Sequence, residues 1–421
     1  MTAVRKRTRG LAAAAAVTLL LGLAACSSGG DDDEKTGSES SGKPTQDPNV
    51  KFTGDPVTVM TMSTYDTDTL NAKAVLDVAQ GAVVQINNAG GLGGHELKLI
   101  TCNDSADPNK AADCARQAVD QGVAAMVGGF TANGDAVMPI LEQAGIPWFA
   151  PPGISAAELS SSDSYPITSG VLGLAGLGQM AAADGCDKVA SVNYDLPSAG
   201  QIAQLVDLAL QNAGHDKSTL IKVPPTTTDF STIAQETSDY DCAVVGTPPQ
   251  AFLGVAAAGA QLGSTTKYYV VPGGLTDSVA KNGGASVEGT KSLSNFPDVD
   301  DPMWADALKY SGDGADPATE ENGGLSGLYF QNTWVAFRTF LSLIKNNDDM
   351  SAAGVKATLD ATTEVDTDGF TPPFSFAQEF PAPGLERAFN FQELTFEIKD
   401  GKLQQAGTDY TDMRTALVPA Q

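Results

Sequence analysis

Residues 126–159, MVGGFTANGDAVMPILEQAGIPWFAPPGISAAEL, decide how the rest of the chain is read. An apolar run ending in Gly128 and Gly129 gives way to the loop FTANG and the helical run DAVMPILEQAG. A second apolar run, IPWFAPP, then gives way to GISAAEL, which opens another helix. Two buried strands therefore each end in a loop that starts a helix. In a parallel sheet both loops lie at the carboxyl edge, where the free N–H groups and the dipole of a helix N-terminus favour a negative group. The stretch is expected to receive the anionic end of a small molecule. Its expected contacts are Phe130, Thr131, Ala132, Gly153, Ile154 and Ser155. Thr131 and Ser155 would offer hydroxyls, Phe130 and Trp148 apolar walls, and the glycines at 128, 129 and 153 close approach to the backbone.

The same alternation runs outward on both sides. Upstream, residues 56–62 (PVTVMTM) alternate as a strand, and residues 71–89 carry Val75, Val78, Ala79, Ala82, Val83 and Ile86 at helical spacing before NAGGLGG ends the helix. HELKLITC reads as a strand, DPNKAADCARQAVDQG as a helix and VAAMVGG as the next strand. From Asp187 the pattern restarts: strand KVASVNYD, helix AGQIAQLVDLALQNAG, strands STLIKVPP, DCAVVGTPP and KYYVVPGG. Residues 289–299 return as a strand, GLYFQNTWVAFRTFLSLIKN is a strongly apolar helix, and FNFQELTFEIKDGKLQQA is a hairpin turning at Asp400-Gly401. Short loops between alternating strands and helices predict an α/β protein of two Rossmann-like, doubly wound lobes. Tyr65, Tyr194, Thr247 and Gly274 follow strands at their carboxyl ends and are expected to line a cleft, plain packing being the competing role for each Tyr. The glycine runs GGLGG and GVLGLAGLG lack the order of a dinucleotide-binding turn, so a turn and a close helix contact are expected there.

The first residues read as an export signal: Arg5, Lys6, Arg7 and Arg9, an apolar run over residues 11–23, then small residues. Its ending, LAAC, resembles the bacterial lipoprotein box, which implies that Cys26 is acylated and becomes the mature N-terminus. Residues 26–54 are rich in Ser, Gly, Asp and Pro and are expected to be a disordered acidic tether. As a coil it would span roughly 30 Å, and its Asp31, Asp32 and Asp33 read as a solvated charge run.

The whole chain carries 25 basic and 51 acidic residues, a formal charge of −26. Residues 1–25 hold four of the basic ones, so the remainder has 21 against 51 and a charge of −30. Nucleic acid and anionic lipid head groups are disfavoured as partners, and no nucleic acid is expected. Besides Cys26 there are four cysteines, Cys102, Cys114, Cys186 and Cys242, without the close spacing of a zinc site; in an exported chain they imply two disulfides, of three possible connectivities. Two histidines, His95 and His215, assemble neither a His-rich metal centre nor a Ser/His/Asp triad. No metal or cofactor is expected.

The run AVLDVAQGAVVQINNAGGLGGHELKLITCNDSADPNKAADCARQAVDQGVAAMVGG, followed by AGIPWFAPP, resembles the branched-chain amino-acid (Leu/Ile/Val-binding) type of extracellular solute-binding protein, the receptor component of ABC importers. The resemblance covers nearly all of the chain beyond the tether. It implies the type I periplasmic-binding-protein fold, with three crossovers joining the lobes as a hinge that closes on a solute. It places lobe 1 at 55–168 and 289–346, and lobe 2 at 169–288 and 347–418. The carboxylate with which such receptors hold a ligand ammonium falls near Gln250, and an aromatic after the first strand of lobe 2 falls near Ser198. Loss of that carboxylate puts an α-amino-acid ligand in doubt, and the expected solute is an amino acid or another small, anionic or amphipathic molecule. The expected function is a membrane-anchored receptor, monomeric and not an enzyme, that hands a small solute to an importer permease on the outer face of the membrane. A ligand sensor for a signalling partner is the alternative, and a secreted hydrolase a weaker one.

On this lobe assignment the cysteines sort themselves. Cys102 ends the second strand and Cys114 lies in the helix after it, while Cys186 and Cys242 precede strands that neighbour each other in a 2-1-3 sheet. The expected pairs are Cys102 with Cys114 and Cys186 with Cys242, one in each lobe.

Overall fold

A computed structural model describes residues 43–67, 71–195, 199–312 and 324–418. The leader, Cys26, the first part of the expected tether and Ser198 lie outside the described residues. The strands β1 (Gly54–Ser63), β2 (His95–Asn103), β3 (Ala125–Val127), β4 (Trp148–Phe149) and β5 (Ser164–Tyr165) form one parallel sheet in the order β2-β1-β3-β4-β5. The helices α1 (Ala74–Asn88), α2 (Pro108–Asp120), α3 (Gly134–Ala144) and α4 (Ala156–Ser160) connect them. A second sheet contains β6 (Val189–Tyr194), β7 (Thr219–Val223), β8 (Cys242–Val245), β9 (Lys267–Val270), β10 (Lys291–Ser294), β11 (Gln392–Lys399) and β12 (Lys402–Gln405), with β13 (Thr411–Asp412) beside β11. Its order is β12-β11-β10-β9-β8-β6-β7, parallel from β7 to β10 and antiparallel through β11 and β12. The helices α5 (Gly173–Ala183), α6 (Ala199–Asn212), α7 (Ser231–Thr237), α8 (Pro249–Leu262) and α9 (Asp277–Gly283) accompany this sheet. They are followed by α10 (Ala305–Ser311), α11 (Leu328–Ile344), α12 (Ala352–Ala361) and α13 (Arg414–Leu417).

Side-chain period explains the layering. In β1, Val57 and Val59 face a core shared with α1 and the Trp334, Phe337 and Phe340 stripe of α11, whereas Met60 and Met62 face α2 and α3 through Ala111, Val137 and Leu141. Period two on a strand and about four on the helices thus cover both faces of the sheet. The second sheet is covered likewise, by α7, α8 and α9 on one side and α5 and α6 on the other. In the glycine run of α5 a side chain at Gly178 would lie 2.9 Å from the Val206 carbonyl oxygen, so the run serves the close contact of α5 with α6. Asp107 caps α2 by accepting from the Asn109 and Lys110 amides, with Pro108 at the first helical position.

Three expectations are corrected. The strand β10 belongs to the second sheet, pairing with β9 at Lys291 and Tyr269 and along β11, so lobe 1 does not resume at residue 289. After it, α12 stays with lobe 1: Val355 and Leu359 pack in the α11 core, and Phe370, Phe376 and Phe389 join Phe149 and Tyr165 there. The chain therefore crosses between lobes after β5, after β10 and just before β11, and residues 347–389 belong to lobe 1. Finally, the tether is shorter than expected. Its last part lies along lobe 1, where the Asp47 amide donates to Asn88 Oδ1 at 2.7 Å and the Thr53 amide to the Gly94 carbonyl at 2.8 Å. Hydrogen bonds to the end of α1 and the turn after it supply what the missing apolar residues do not.

Both disulfides form as expected, with Cα separations of 5.8 Å for Cys102–Cys114 and 5.9 Å for Cys186–Cys242. Val189 pairs directly with Cys242 across β6 and β8, which brings Cys186 within reach. Among the described residues no helix is long and apolar enough to cross a membrane. Peptide mapping without reduction is expected to return these two linked fragments. At sequence separations of 12 and 56, replacing both cysteines of a pair by Ser should lower the unfolding free energy by about 3 kcal/mol and about 4 kcal/mol respectively, read by chemical denaturation.

Candidate functional site

The carboxyl edge of the first sheet is organised by Asp104, a fully buried residue just after β2. Its carboxylate accepts from the Thr64 hydroxyl at 2.6 Å, the Ala106 amide at 3.1 Å, the Thr131 hydroxyl and Asn133 Nδ2 at 3.2 Å. The loops after β1, β2 and β3 are thereby tied to one group. Tyr65 is anchored beside them by the mutual bonds of its backbone with the Asn103 side chain, each 3.1 Å. Thr131 was expected to offer its hydroxyl to a ligand. It is instead fully buried, donates to Asp104 and accepts from the Asn133 amide at 3.0 Å. Trp148 is likewise no cleft wall: it is fully buried among α2 and α3, its Nε1 donating to the Gly128 carbonyl at 3.0 Å.

What remains at this edge is aromatic and acidic. The Phe130 ring lies against that of Tyr329, from the first turn of α11, with centroids 4.2 Å apart, and Ile154 packs on the same core. Ala132 is exposed, and the Gly153 carbonyl accepts from the Val171 amide at 2.9 Å. Ser155 caps α4 by accepting from the Glu158 amide. The Glu158 side chain is fully buried, and its Oε2 accepts from the Ile154 amide at 2.9 Å. Burial pushes this carboxyl up to about 7 against the pull of the Ile154 amide and the Ser155 hydroxyl. Burial and then the Glu158 charge push the Tyr329 phenol up to about 12. Sequence reading passed over both Asp104 and Glu158, although Ser155 and Glu158 stand in the S-x-x-E spacing of a capping box.

Across the junction the second sheet presents its own carboxyl edge. Tyr194 ends β6 half-buried against the lobe 2 core, Gln250 is exposed in the first turn of α8, and Gly274 sits in the turn after β9 with its amide on the Val271 carbonyl at 2.8 Å. Thr247 is buried, and its hydroxyl has no partner among the described residues. Where α9 and the start of α11 meet, Leu275, Asp277, Asp298, Ser326 and Gln331 enclose about 30 Å³, room for a water and not for a solute. A larger space of about 530 Å³ lies near Lys267 and Lys291, which begin β9 and β10. That is the amino edge, away from the helix N-termini that recognise ligands in parallel sheets.

The lobes are joined by a hydrogen-bonded knot. Asn295 Oδ1 accepts from the Ser169 amide and hydroxyl at 3.1 and 3.2 Å, Asn295 Nδ2 donates to the Gln392 carbonyl at 2.9 Å, and the Ser169 hydroxyl also donates to Glu393. Each crossing contributes to it. Glu393 is fully buried, and burial pushes its carboxyl up to about 8.

Two doubly wound lobes, a three-crossing hinge and facing carboxyl edges define the two-lobed solute-binding proteins. The chain belongs to the periplasmic binding protein family, whose model matches residues 61–399. It shares its fold with an extracellular ligand-binding receptor from Verminephrobacter eiseniae, with TM-score 0.69 and 19% identity over 83% of this chain and 99% of that one. It is also similar to a fatty acid ABC transporter substrate-binding protein from Thermomonospora curvata, at 0.70 and 16% over 90% and 97%. A leucine-binding protein from Thermotoga maritima matches at 0.64 and 14% over 83% and 98%. No curated protein sequence matches the chain.

The buried carboxyls set a pH dependence. A folded-state value above the ordinary one means that the folded protein binds the proton more tightly than the unfolded chain. The stability this adds is complete below about 4.5 and is lost as pH rises through about 7 for Glu158 and about 8 for Glu393. Urea denaturation is expected to show unfolding free energy falling between roughly pH 5 and pH 8, and the Glu158→Gln, Glu393→Gln double variant should flatten that fall by a few kcal/mol.

Proposed function

We propose that the protein is the solute receptor of an ABC importer, held at the outer face of the cell membrane by a lipid on Cys26, and that it closes its two lobes on a small molecule. The observation that carries this reading is the pair of carboxyl edges, one on each lobe, with the three chain crossings meeting at the Ser169–Asn295–Glu393 knot. A ligand touching both edges stabilises only the closed arrangement, so binding shifts the population of lobe positions. The protein acts as a binding module and carries out no reaction on its solute.

At the carboxyl edges stand the Phe130–Tyr329 ring pair, the buried Thr247 hydroxyl and the exposed Gln250. Such a lining suits an amphipathic solute, the rings taking its apolar body. The lipoprotein box and the polar segment behind it support the anchor.

Native mass spectrometry of the protein as purified tests the receptor reading: a single co-purified small molecule, released on unfolding, is expected. Its affinity should fall about 10- to 100-fold in Tyr329→Ala, for the loss of about 1–3 kcal/mol of ring contact. A protein that retains no solute and gains no thermal stability from any compound of a metabolite library would refute it. Separately, Cys26→Ala should move the protein from the membrane to the soluble fraction, and equal membrane retention of the variant would remove the anchor.

A further inference from the structure

Between the two loops at the carboxyl edge of lobe 1 the protein already holds a carboxyl group. Glu158 Oε2 takes the Ile154 amide, and Oε1 has no hydrogen-bond partner among the described residues, although Glu158 is fully buried. Oε1 is aimed at the start of α3. A side chain at Gly134 would lie 1.9 Å from it and 2.3 Å from Ser155 Oγ, so a larger residue at that first helical position would displace both groups. A capping-box glutamate serves its own helix. This one reaches past α4 to the N-terminus of α3, an 11-residue helix, and its charge is felt by the Tyr329 phenol.

We propose that Glu158 sets the charge class of the solute: its carboxyl group fills the anion cradle of lobe 1 from within, so the solute presents a neutral or cationic hydrogen-bond donor to the free Oε1. An arriving carboxylate or phosphate would find the Ile154 amide already taken, and would meet a like charge wherever Glu158 is ionised. A donor meets an acceptor that has already been stripped of water, which is where a hydrogen bond contributes most. The Phe130 and Tyr329 rings suit a cation as well as an apolar body. The formal charge of −26 also draws cations and repels anions at long range. The second half of this inference rests on the receptor reading; the first is a property of the fold.

Chemical rescue tests the first half without any solute. Glu158→Ala opens a carboxyl-sized space walled by the Ile154 amide, so sodium acetate is expected to raise the variant's Tm saturably, and the wild-type Tm no more than sodium chloride does. Acetate acting alike on both proteins would overturn it. The second half is read from thermal shifts with matched probes, L-leucine against L-leucinamide and octanoate against octylammonium. The wild type should favour the uncharged or cationic member of a pair at least tenfold, and the isosteric Glu158→Gln, which also serves should Glu158→Ala not fold, should lose that preference. A preference for the carboxylates, or no response to any of the four, overturns the second half. A co-purified solute in the native mass spectrum would still leave the receptor reading standing.

Discussion

A parallel sheet buried on both faces offers a ligand nothing but its edge, and this constraint shapes both lobes. Because β1 spends its odd positions on one helical layer and its even positions on the other, side chains for recognition come only from loops beyond the strands. Loops are cheap to move unless something ties them. Here Asp104 ties three of them, and the cost is that the Thr64 and Thr131 hydroxyls are consumed in holding the edge still. The rigidity left behind is what allows Phe130, next to Thr131, to keep one arrangement.

The hinge has the same character. Beside an apolar cluster of Leu159, Leu172, Ala175 and Phe380 stands a polar knot: the amide and hydroxyl of Ser169, the Asn295 carboxamide and the Glu393 carboxyl, each from a different crossing. Buried hydrogen bonds are directional, so such a knot defines an axis where an apolar seam would slide. Glu393 Oε2 has no hydrogen-bond partner among the described residues. Protonation makes it tolerable, since a neutral acid is far less costly to bury than a carboxylate.

Much of this was legible before any coordinates. Strand and helix periods gave the order of elements, and the 2-1-3 arrangement of β7, β6 and β8 is what made the Cys186–Cys242 pair foreseeable. Local pattern fails where a segment must choose between two similar partners. Nothing in KSLS says which sheet β10 joins, and nothing in α12 says which core Val355 and Leu359 will enter. Residue type also does not give direction. A threonine and a tryptophan beside a ligand loop look like contacts, yet Thr131 turns inward to Asp104 and Trp148 enters the core. The Ser155–Glu158 box could be seen in the sequence, but the nearness of its carboxyl to Tyr329, far along the chain, could not.

The interleaving of the lobes along the chain has a consequence for how the molecule is made. The core of lobe 1 waits for Phe376 and Phe389, and the sheet of lobe 2 waits for β11 to cover the open side of β10. A chain emerging amino end first therefore cannot complete lobe 1 and then begin lobe 2. Both remain unfinished, with one bare strand edge and an incomplete aromatic cluster, until nearly the last thirty residues have appeared. Assembly is postponed and then concerted, and through that interval the sticky surfaces need shelter that the finished protein does not.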